Sequence, residues 1–103
     1  MSVKDDIMKI IRNFIEDCRK INIDFEKIIL FGSYAKNNAN NESDIDLALV
    51  SKSFTEDSFE NALLIAPVTV KYLKIDAQTF PVSYFQKGDP FIQEILKTGI
   101  VIN

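Results

Sequence analysis

The first twenty residues carry apolar side chains at the spacing of an amphipathic helix. They recur three and four positions apart, at Val3, Ile7, Ile10, Ile11, Phe14, Ile15, Cys18 and Ile21. One side of a helix would therefore be apolar, and we predict a helix over residues 3–20. Ser2 is the expected N-cap. Asp5 and Asp6 fall in the first turn, where carboxylates favour the positive end of the helix dipole.

Two strands are predicted in the middle of the chain. Residues 27–31 form a β-branched and aromatic run that stops at Gly32, which is typical of a buried strand ending in a tight turn. Residues 44–50 alternate between the two faces of a second strand. Asp44 and Asp46 share one face, and the opposite face carries Ile45, Leu47 and Leu49. Between the strands, residues 36–42 read KNNANNE, and such asparagine-rich segments favour turns.

A third strand is predicted over residues 72–80, again from alternation. Its apolar face carries Leu73, Ile75 and Ala77. Its polar face carries Tyr72, Lys74, Asp76 and Gln78. Asp76 would therefore lie on the polar face of its strand, as Asp44 and Asp46 do on theirs.

Two more helices complete the prediction. Residues 55–66 begin with Glu56 and Asp57 and carry apolar residues at Phe59, Leu63 and Ala66, so they favour a helix that Pro67 ends or kinks. Asp89 and Pro90 open a final helix that stops at Gly99. Its expected buried residues are Phe91, Ile92, Ile95 and Leu96. Residues 100–102 would add an edge strand.

Length and composition indicate one globular domain over residues 1–103. The 103 residues are 47% hydrophobic and 26% charged, which suits a single compact core. A chain of this size has little room for a second domain that would hold a substrate. Any large acceptor must therefore be held elsewhere or by a partner.

Charge and cysteine content narrow the class of protein. A net charge of −3 argues against nucleic acid as the main partner, because phosphate binding needs clustered Lys and Arg. Cys18 is the only cysteine and histidine is absent, so neither an intrachain disulfide nor a Cys/His metal site is expected. We interpret Cys18 as a core residue. The sequence shows neither a membrane-spanning run nor a secretion signal, and we expect a complete, cytoplasmic protein.

The chemistry lies between Gly32 and Leu47. A Gly-Ser turn that opens a short helix exposes backbone N–H groups, and glycine lets a phosphate approach closely. Asp44 and Asp46 on one strand face would repel each other unless a cation lay between them. Magnesium suits this pair, since it takes one or two carboxylates together with substrate phosphates and water.

Two such metals, held about 4 Å apart, would activate an attacking oxygen and stabilise the departing pyrophosphate. Asp76 is the expected third carboxylate, either as a metal ligand or as the base for an acceptor hydroxyl. Glu60 and Asp89 are the alternatives for that position.

The two motifs are weak separately, because a Gly-Ser pair usually marks a turn and Asp-X-Asp on a strand is usually a solvated face. Together they resemble the signature of the minimal nucleotidyltransferases of the DNA polymerase β superfamily: Gly-Ser, a loop, then Ser-Asp-Ile-Asp-Leu. The matching residues are Gly32, Ser33, Ala35, Ser43, Asp44, Ile45, Asp46 and Leu47. The order of the predicted helices and strands also resembles that family along nearly the whole chain.

This resemblance implies an α/β (α+β) fold with a small mixed sheet and helices packed on it. It implies that Gly32 and Ser33 contact the triphosphate, joined in our interpretation by Lys36 and Ser43. It further implies that Asp44, Asp46 and Asp76 bind magnesium and catalyse the transfer. Many family members have arginine at the position of Lys36 and glycine at that of Asn37, so the phosphate contacts and the loop are expected to differ here.

The resemblance also suggests the substrate and the partner. We expect transfer of a nucleoside monophosphate, AMP from ATP, to a hydroxyl. By analogy the acceptor is a tyrosine on an all-helical ribonuclease toxin of the HEPN type. The rival hypothesis is a non-catalytic antitoxin that keeps the scaffold and blocks its partner. A third is modification of a small molecule such as an aminoglycoside, for which a homodimer would have to build the pocket.

Overall fold

The computed structural model describes residues 4–102, which form four helices and four strands. In chain order the helices are α1 Asp5–Lys20, α2 Ser58–Thr69, α3 Val82–Lys87 and α4 Pro90–Thr98. The strands are β1 Lys27–Phe31, β2 Ile45–Ser51, β3 Ile75–Pro81 and β4 Ile100–Val101. A 3₁₀ turn, Gly32–Tyr34, follows β1. The expected α/β fold is confirmed.

The four strands form one mixed sheet in the order β3-β2-β1-β4. β1 pairs antiparallel with both β2 and β4, whereas β2 and β3 run parallel. Parallel neighbours need a crossover connection, and α2 provides it. The predicted mixed sheet and edge strand are both confirmed.

Helices cover the two faces of the sheet in pairs. One core joins the apolar sides of α1 and α2 to alternate strand residues such as Leu30, Leu47 and Leu49. The other joins α3 and α4 to Ile29, Ala48 and Val50. Because side chains alternate along a strand, Asp46 belongs to the α3 and α4 face.

The predicted ends of several elements need correction. α1 begins at Asp5 with Lys4 in the cap position and no side-chain cap, while Ser2 lies outside the described residues. β3 begins at Ile75, three residues later than the alternation predicted. The Tyr72 hydroxyl instead donates a hydrogen bond of 2.5 Å to Asp17 of α1. This bond ties the segment before β3 to the first helix, which alternation along the chain does not reveal.

The second helix was predicted correctly in type, but it begins at Ser58 and ends at Thr69. It runs through Pro67, which lies on the exposed side, so the backbone hydrogen bond that proline removes faces solvent. The residues that it buries are Asn61, Ile65 and Val68. Phe59 and Leu63, two of the apolar residues that indicated this helix, are exposed, at 71% and 60%. Since apolar residues occur all around this helix, their spacing did not identify the buried side.

The C-terminal third contains one helix that the pattern did not predict. The short helix α3 follows β3 directly and ends at Gly88, whose φ of 71° is left-handed. The final helix is confirmed between its Asp89 cap and Gly99, although Phe91 is 46% exposed rather than buried. Within residues 4–102, no helix combines the length and apolar character needed to cross a bilayer.

Candidate active site

Asp46 and Asp76 lie opposite each other on neighbouring parallel strands. The register of β2 and β3 pairs them directly, and Asp44 immediately precedes β2. Asp46 is partly buried, whereas Asp44 and Asp76 are exposed. The three acidic residues that the sequence singled out therefore meet at one end of the sheet. Their assignment as catalytic and metal-binding residues stays a prediction.

The other two candidates for the third carboxylate lie elsewhere. Asp89 caps α4, where its Oδ1 accepts from the backbone N–H of Phe91 at 2.9 Å. Glu60 lies in the first turn of α2, which packs on the opposite face of the sheet from Asp46. The position of Asp76 opposite Asp46 therefore favours Asp76 as the third carboxylate of the site.

Three carboxylates concentrate negative charge at this end of the sheet. Burial raises the pKa of Asp46, and the charges of Asp76 and then Asp44 raise that pKa further. A nearby cation would remove this repulsion. The site therefore favours a bound positive charge.

Magnesium fits the donor chemistry of the site. Carboxylate oxygens are the hard ligands that the ion prefers, and it usually keeps places for substrate phosphates and water. Over the described residues, no three Asp, Glu or Cys side chains are already arranged to hold a metal ion. The arrangement suits an ion whose coordination a nucleotide completes, rather than a closed structural site.

The Gly32 turn adjoins the Asp46 carboxylate. Gly32 has a left-handed φ of 73°, and a Cβ at this position would overlap Asp46 Oδ2. Glycine is therefore required for the approach of this carboxylate as well as for the backbone conformation. The sequence had assigned its small size to phosphate approach alone.

The 3₁₀ turn presents polar groups beside the carboxylates. The Ser33 hydroxyl makes no hydrogen bond to another side chain or to the backbone in the part of the chain that the structure describes. Lys36 follows the turn and is exposed. N–H groups in a first helical turn lack partners within the helix. The backbone N–H groups, the Ser33 hydroxyl and the Lys36 ammonium are all hydrogen-bond donors that can bind an anion.

The asparagine-rich loop has an ordered internal structure. Asn37 adopts a left-handed φ of 59°. Glycine adopts this conformation most readily, and asparagine is one of the few other residues that tolerate it. Ser43 Oγ accepts a hydrogen bond of 2.9 Å from the backbone N–H of Asn40. That hydroxyl thus closes a turn, and its predicted nucleotide contact stays untested.

Lys74 fastens this loop to the start of β3. Its Nζ donates to the carbonyl oxygens of Asn41 at 3.1 Å and Ser43 at 2.9 Å. The same ammonium lies 5.7 Å from the centre of the Tyr34 ring. Lys74 therefore links the loop that leads into Asp44 to the residue that follows Gly32 and Ser33. Sequence reasoning placed Lys74 on the face of Asp76 but gave it no role.

A cleft of about 290 Å³ lies beside the loop and is not lined by the three carboxylates. Its walls include Ile7 and Ile10 of α1, together with Tyr34, Asn40 and Lys74. We favour the carboxylate end of the sheet as the reaction site, because the charge crowding occurs there and not in the cleft.

Aromatic side chains lie on the same face of the sheet as Asp46. Phe91 packs edge-on to Phe31 and tilted against Phe80, with ring centres 5.9 Å apart in both pairs. Phe31 is also the residue paired with Asp46 in the sheet register. The partly exposed Phe91 thus completes a cluster that borders the acidic residues.

Comparison with known proteins agrees with this combination of fold and site. Residues 9–103 match the family described as "Polymerase beta, Nucleotidyltransferase". A Methanocaldococcus jannaschii protein named "Putative protein adenylyltransferase" is 30% identical over 100 residues, covering 94% of this chain and 99% of that protein. The chain belongs to the polymerase β nucleotidyltransferase family and is a nucleotidyltransferase.

Solved structures show the same fold at lower identity. A "putative nucleotidyltransferase" from Sulfolobus solfataricus has a TM-score of 0.66 at 18% identity, covering 90% of this chain and 76% of that chain. A toxin–antitoxin structure with AMP-PNP has a TM-score of 0.55 at 22% identity, covering 86% and 69% respectively. The expected polymerase β-like fold is confirmed.

Proposed function

We propose that this nucleotidyltransferase moves AMP from ATP to a hydroxyl group of a partner protein, with magnesium as cofactor. The observation that carries the proposal is the direct pairing of Asp46 with Asp76, next to the Gly32 turn. Acidic residues and an anion-binding turn are the two components that phosphoryl transfer needs, one for metal ions and one for phosphate.

Each residue has a defined task in this proposal. Asp44 and Asp46 would hold magnesium, two ions in the full site, with Asp76 as a further ligand or as the base. Bound magnesium supplies charge neutralisation on the phosphates. The exposed Asp76 carboxylate is accessible to an incoming hydroxyl and would accept its proton.

The groups that follow β1 would orient the triphosphate. The Gly32 and Ser33 N–H groups and the Ser33 hydroxyl form the anion site, with Lys36 and Ser43 at its rim. The acceptor oxygen attacks the α-phosphorus, the bond to the β-phosphate oxygen breaks, and pyrophosphate leaves. AMP is then joined to the acceptor through a new phosphorus–oxygen bond.

The exposure of two of the three carboxylates supports a macromolecular acceptor. Asp44 and Asp76 are exposed, so a protruding side chain of another protein would reach them. The M. jannaschii relative carries a protein adenylyltransferase name, and one structural neighbour is a toxin–antitoxin structure. We therefore propose a tyrosine on a helical ribonuclease toxin of the HEPN type as acceptor, in the cytoplasm.

Labelled ATP tests the proposal. The chain is incubated with magnesium, ATP carrying label on the α-phosphate, and a candidate toxin of the HEPN type, and label on the toxin is measured after electrophoresis. We expect transfer by wild type and by the control Glu94→Gln, whose carboxylate lies on the exposed side of α4. We expect loss of at least about 100-fold for Asp46→Asn, because charge stabilisation is removed. Equal labelling by all three proteins would contradict the proposal.

The rival function is a non-catalytic antitoxin on the same scaffold. It would be favoured if Asp76 did not act as a metal ligand. The variant Asp44→Asn plus Asp46→Asn separates the two functions in a growth assay with the toxin. A purely steric antitoxin protects cells despite both substitutions, whereas an enzyme loses its protective effect.

A further inference from the structure

The outer side of α2 is apolar along its full length. Phe59, Leu63 and Val70 are 71%, 60% and 66% exposed, and they recur at helical spacing. Ala66 and Pro67 lie between them on the same side. We call Phe59, Leu63, Ala66, Pro67 and Val70 the α2 stripe.

The other long helix shows how unusual this surface is. The exposed residues of α1 include Lys9, Arg12, Glu16 and Arg19. α2 has only Glu60 as a charged residue and buries Ile65 and Val68 on its inner side. A helix that is apolar on all sides is normally buried on all sides. The α2 stripe is therefore expected to be covered in solution.

Charges at the two ends of α2 indicate what covers it. Asp57 and Glu60 lie at the start of the helix, and Lys71 follows its end. Glu60 and Lys71 are about three helical turns apart, so they lie along the same edge of the stripe. The hydrogen bond from Tyr72 lowers the pKa of Asp17, and the positive charge of Lys71 lowers that pKa further. Its backbone N–H still bonds to Val68, which continues the turn beyond the helix.

We propose that the α2 stripe is the interface of a homodimer in which two copies of α2 pack antiparallel. A twofold axis centred between Ile65 and Ala66 places Glu60 of each copy beside Lys71 of the other. The same axis brings Phe59 of one copy to the Val70 end of its mate. A single apolar patch thus complements itself in charge, as a twofold interface requires.

This arrangement leaves the candidate active site open. α2 packs on one face of the sheet, whereas Asp46 belongs to the face of α3 and α4. Both copies of the dimer would therefore present their carboxylates to an acceptor. The proposal does not depend on the reaction that the site performs.

Analytical ultracentrifugation of the full chain from about 1 µM to about 1 mM tests for the dimer. We expect concentration-dependent dimers of wild type and a dissociation constant at least about 10-fold weaker for Leu63→Glu. The control is Val101→Glu, a partly exposed apolar residue on β4, which should associate as wild type does. Circular dichroism checks that each variant is folded. A wild-type chain that stays monomeric over this range would overturn the proposal.

Charge reversal tests the antiparallel pairing itself. Glu60→Lys and Lys71→Glu each place like charges at both contacts of their own dimer, so each alone should associate more weakly. A mixture of the two chains restores opposite charges at both contacts, and we expect it to associate about as tightly as wild type. No recovery in the mixture would contradict this pairing. The proposal would also be contradicted if Leu63→Glu weakened binding to another protein but left self-association unchanged.

Discussion

The Asp46 carboxylate occupies the space that a side chain on Gly32 would need. A Cβ at Gly32 would overlap Asp46 Oδ2 and approach its Cγ to 3.1 Å. The turn after β1 and the acidic strand β2 are thus in contact through Gly32 of the first motif and Asp46 of the second. The Gly-Ser motif and the Asp-X-Asp motif therefore form one structural unit.

Substitution of Gly32 should consequently damage the site more than the fold. We expect Gly32→Ala to displace Asp46 and reduce AMP transfer strongly, and the left-handed backbone adds about 1–2 kcal/mol of strain. Gly88→Ala is the matched control, because Gly88 has φ 71° and only Gln93 Nε2 within 3.4 Å of the added atom. Urea denaturation and label transfer are measured on both variants. Equal loss of activity in both would mean that backbone strain, not the Asp46 contact, is responsible.

Stability should depend on pH through Asp46. Its raised pKa means that the folded chain binds this proton more tightly than the unfolded chain does. The free energy of unfolding therefore falls as pH rises from the ordinary Asp pKa to the raised value, and the loss persists at higher pH.

Asp46→Asn removes that penalty, so we expect the variant to be more stable than wild type at neutral pH. The difference should shrink as pH falls through this window. Urea denaturation at a series of pH values measures it, with Glu94→Gln as a control that leaves the crowded carboxylates intact. A variant less stable than wild type at neutral pH would be evidence against repulsion at Asp46.

Lys74 should position the loop that leads to Asp44. Lys74→Met removes the bonds to Asn41 and Ser43, and we expect faster amide hydrogen exchange in residues 38–43 and weaker binding of magnesium with a non-hydrolysable ATP analogue. A hydrogen bond to a charged group contributes at most about 1.5–3 kcal/mol of free energy. Each Lys74 bond should contribute less, because the ammonium is partly exposed.

Two variants distinguish positioning from a general effect of lost charge. Lys74→Arg should partly restore binding, because it keeps a donor near the loop. Lys52→Met removes an exposed lysine 3.6 Å from Glu26 and should leave both readouts unchanged. If loop exchange is unaffected by Lys74→Met, the loop is held by its internal bonds instead.

Cys18 should react slowly in the folded chain. Burial raises the pKa of its thiol to about 12, with a smaller contribution from Asp17. The thiolate fraction at neutral pH is then about 1000-fold below that of an ordinary thiol, since each pKa unit is a factor of about ten. Iodoacetamide labelling followed by mass spectrometry should proceed readily in urea and very slowly in buffer. Rapid labelling under native conditions would show that α1 opens locally.

The sequence was informative wherever one face of an element differs clearly from the other. α1 and α4 were predicted closely because charged residues occupy one side of each and apolar residues the other. For α2 this contrast is absent, so its apolar positions predicted a helix but not which side of it is buried. The start of β3 was also missed, because the Tyr72 bond to Asp17 joins segments far apart in the chain.

The sequence by itself determined most of the element types and the candidate acidic residues, because hydrophobic periodicity and motif spacing are local properties, and its resemblance to the polymerase β family implied the mixed sheet. Only the tertiary structure decided that β2 and β3 are parallel neighbours in register, which pairs Asp46 with Asp76. It also decided that Lys74 holds the loop and that α2 presents an apolar outer side. These relationships depend on contacts between distant segments, and no local pattern of residues specifies them.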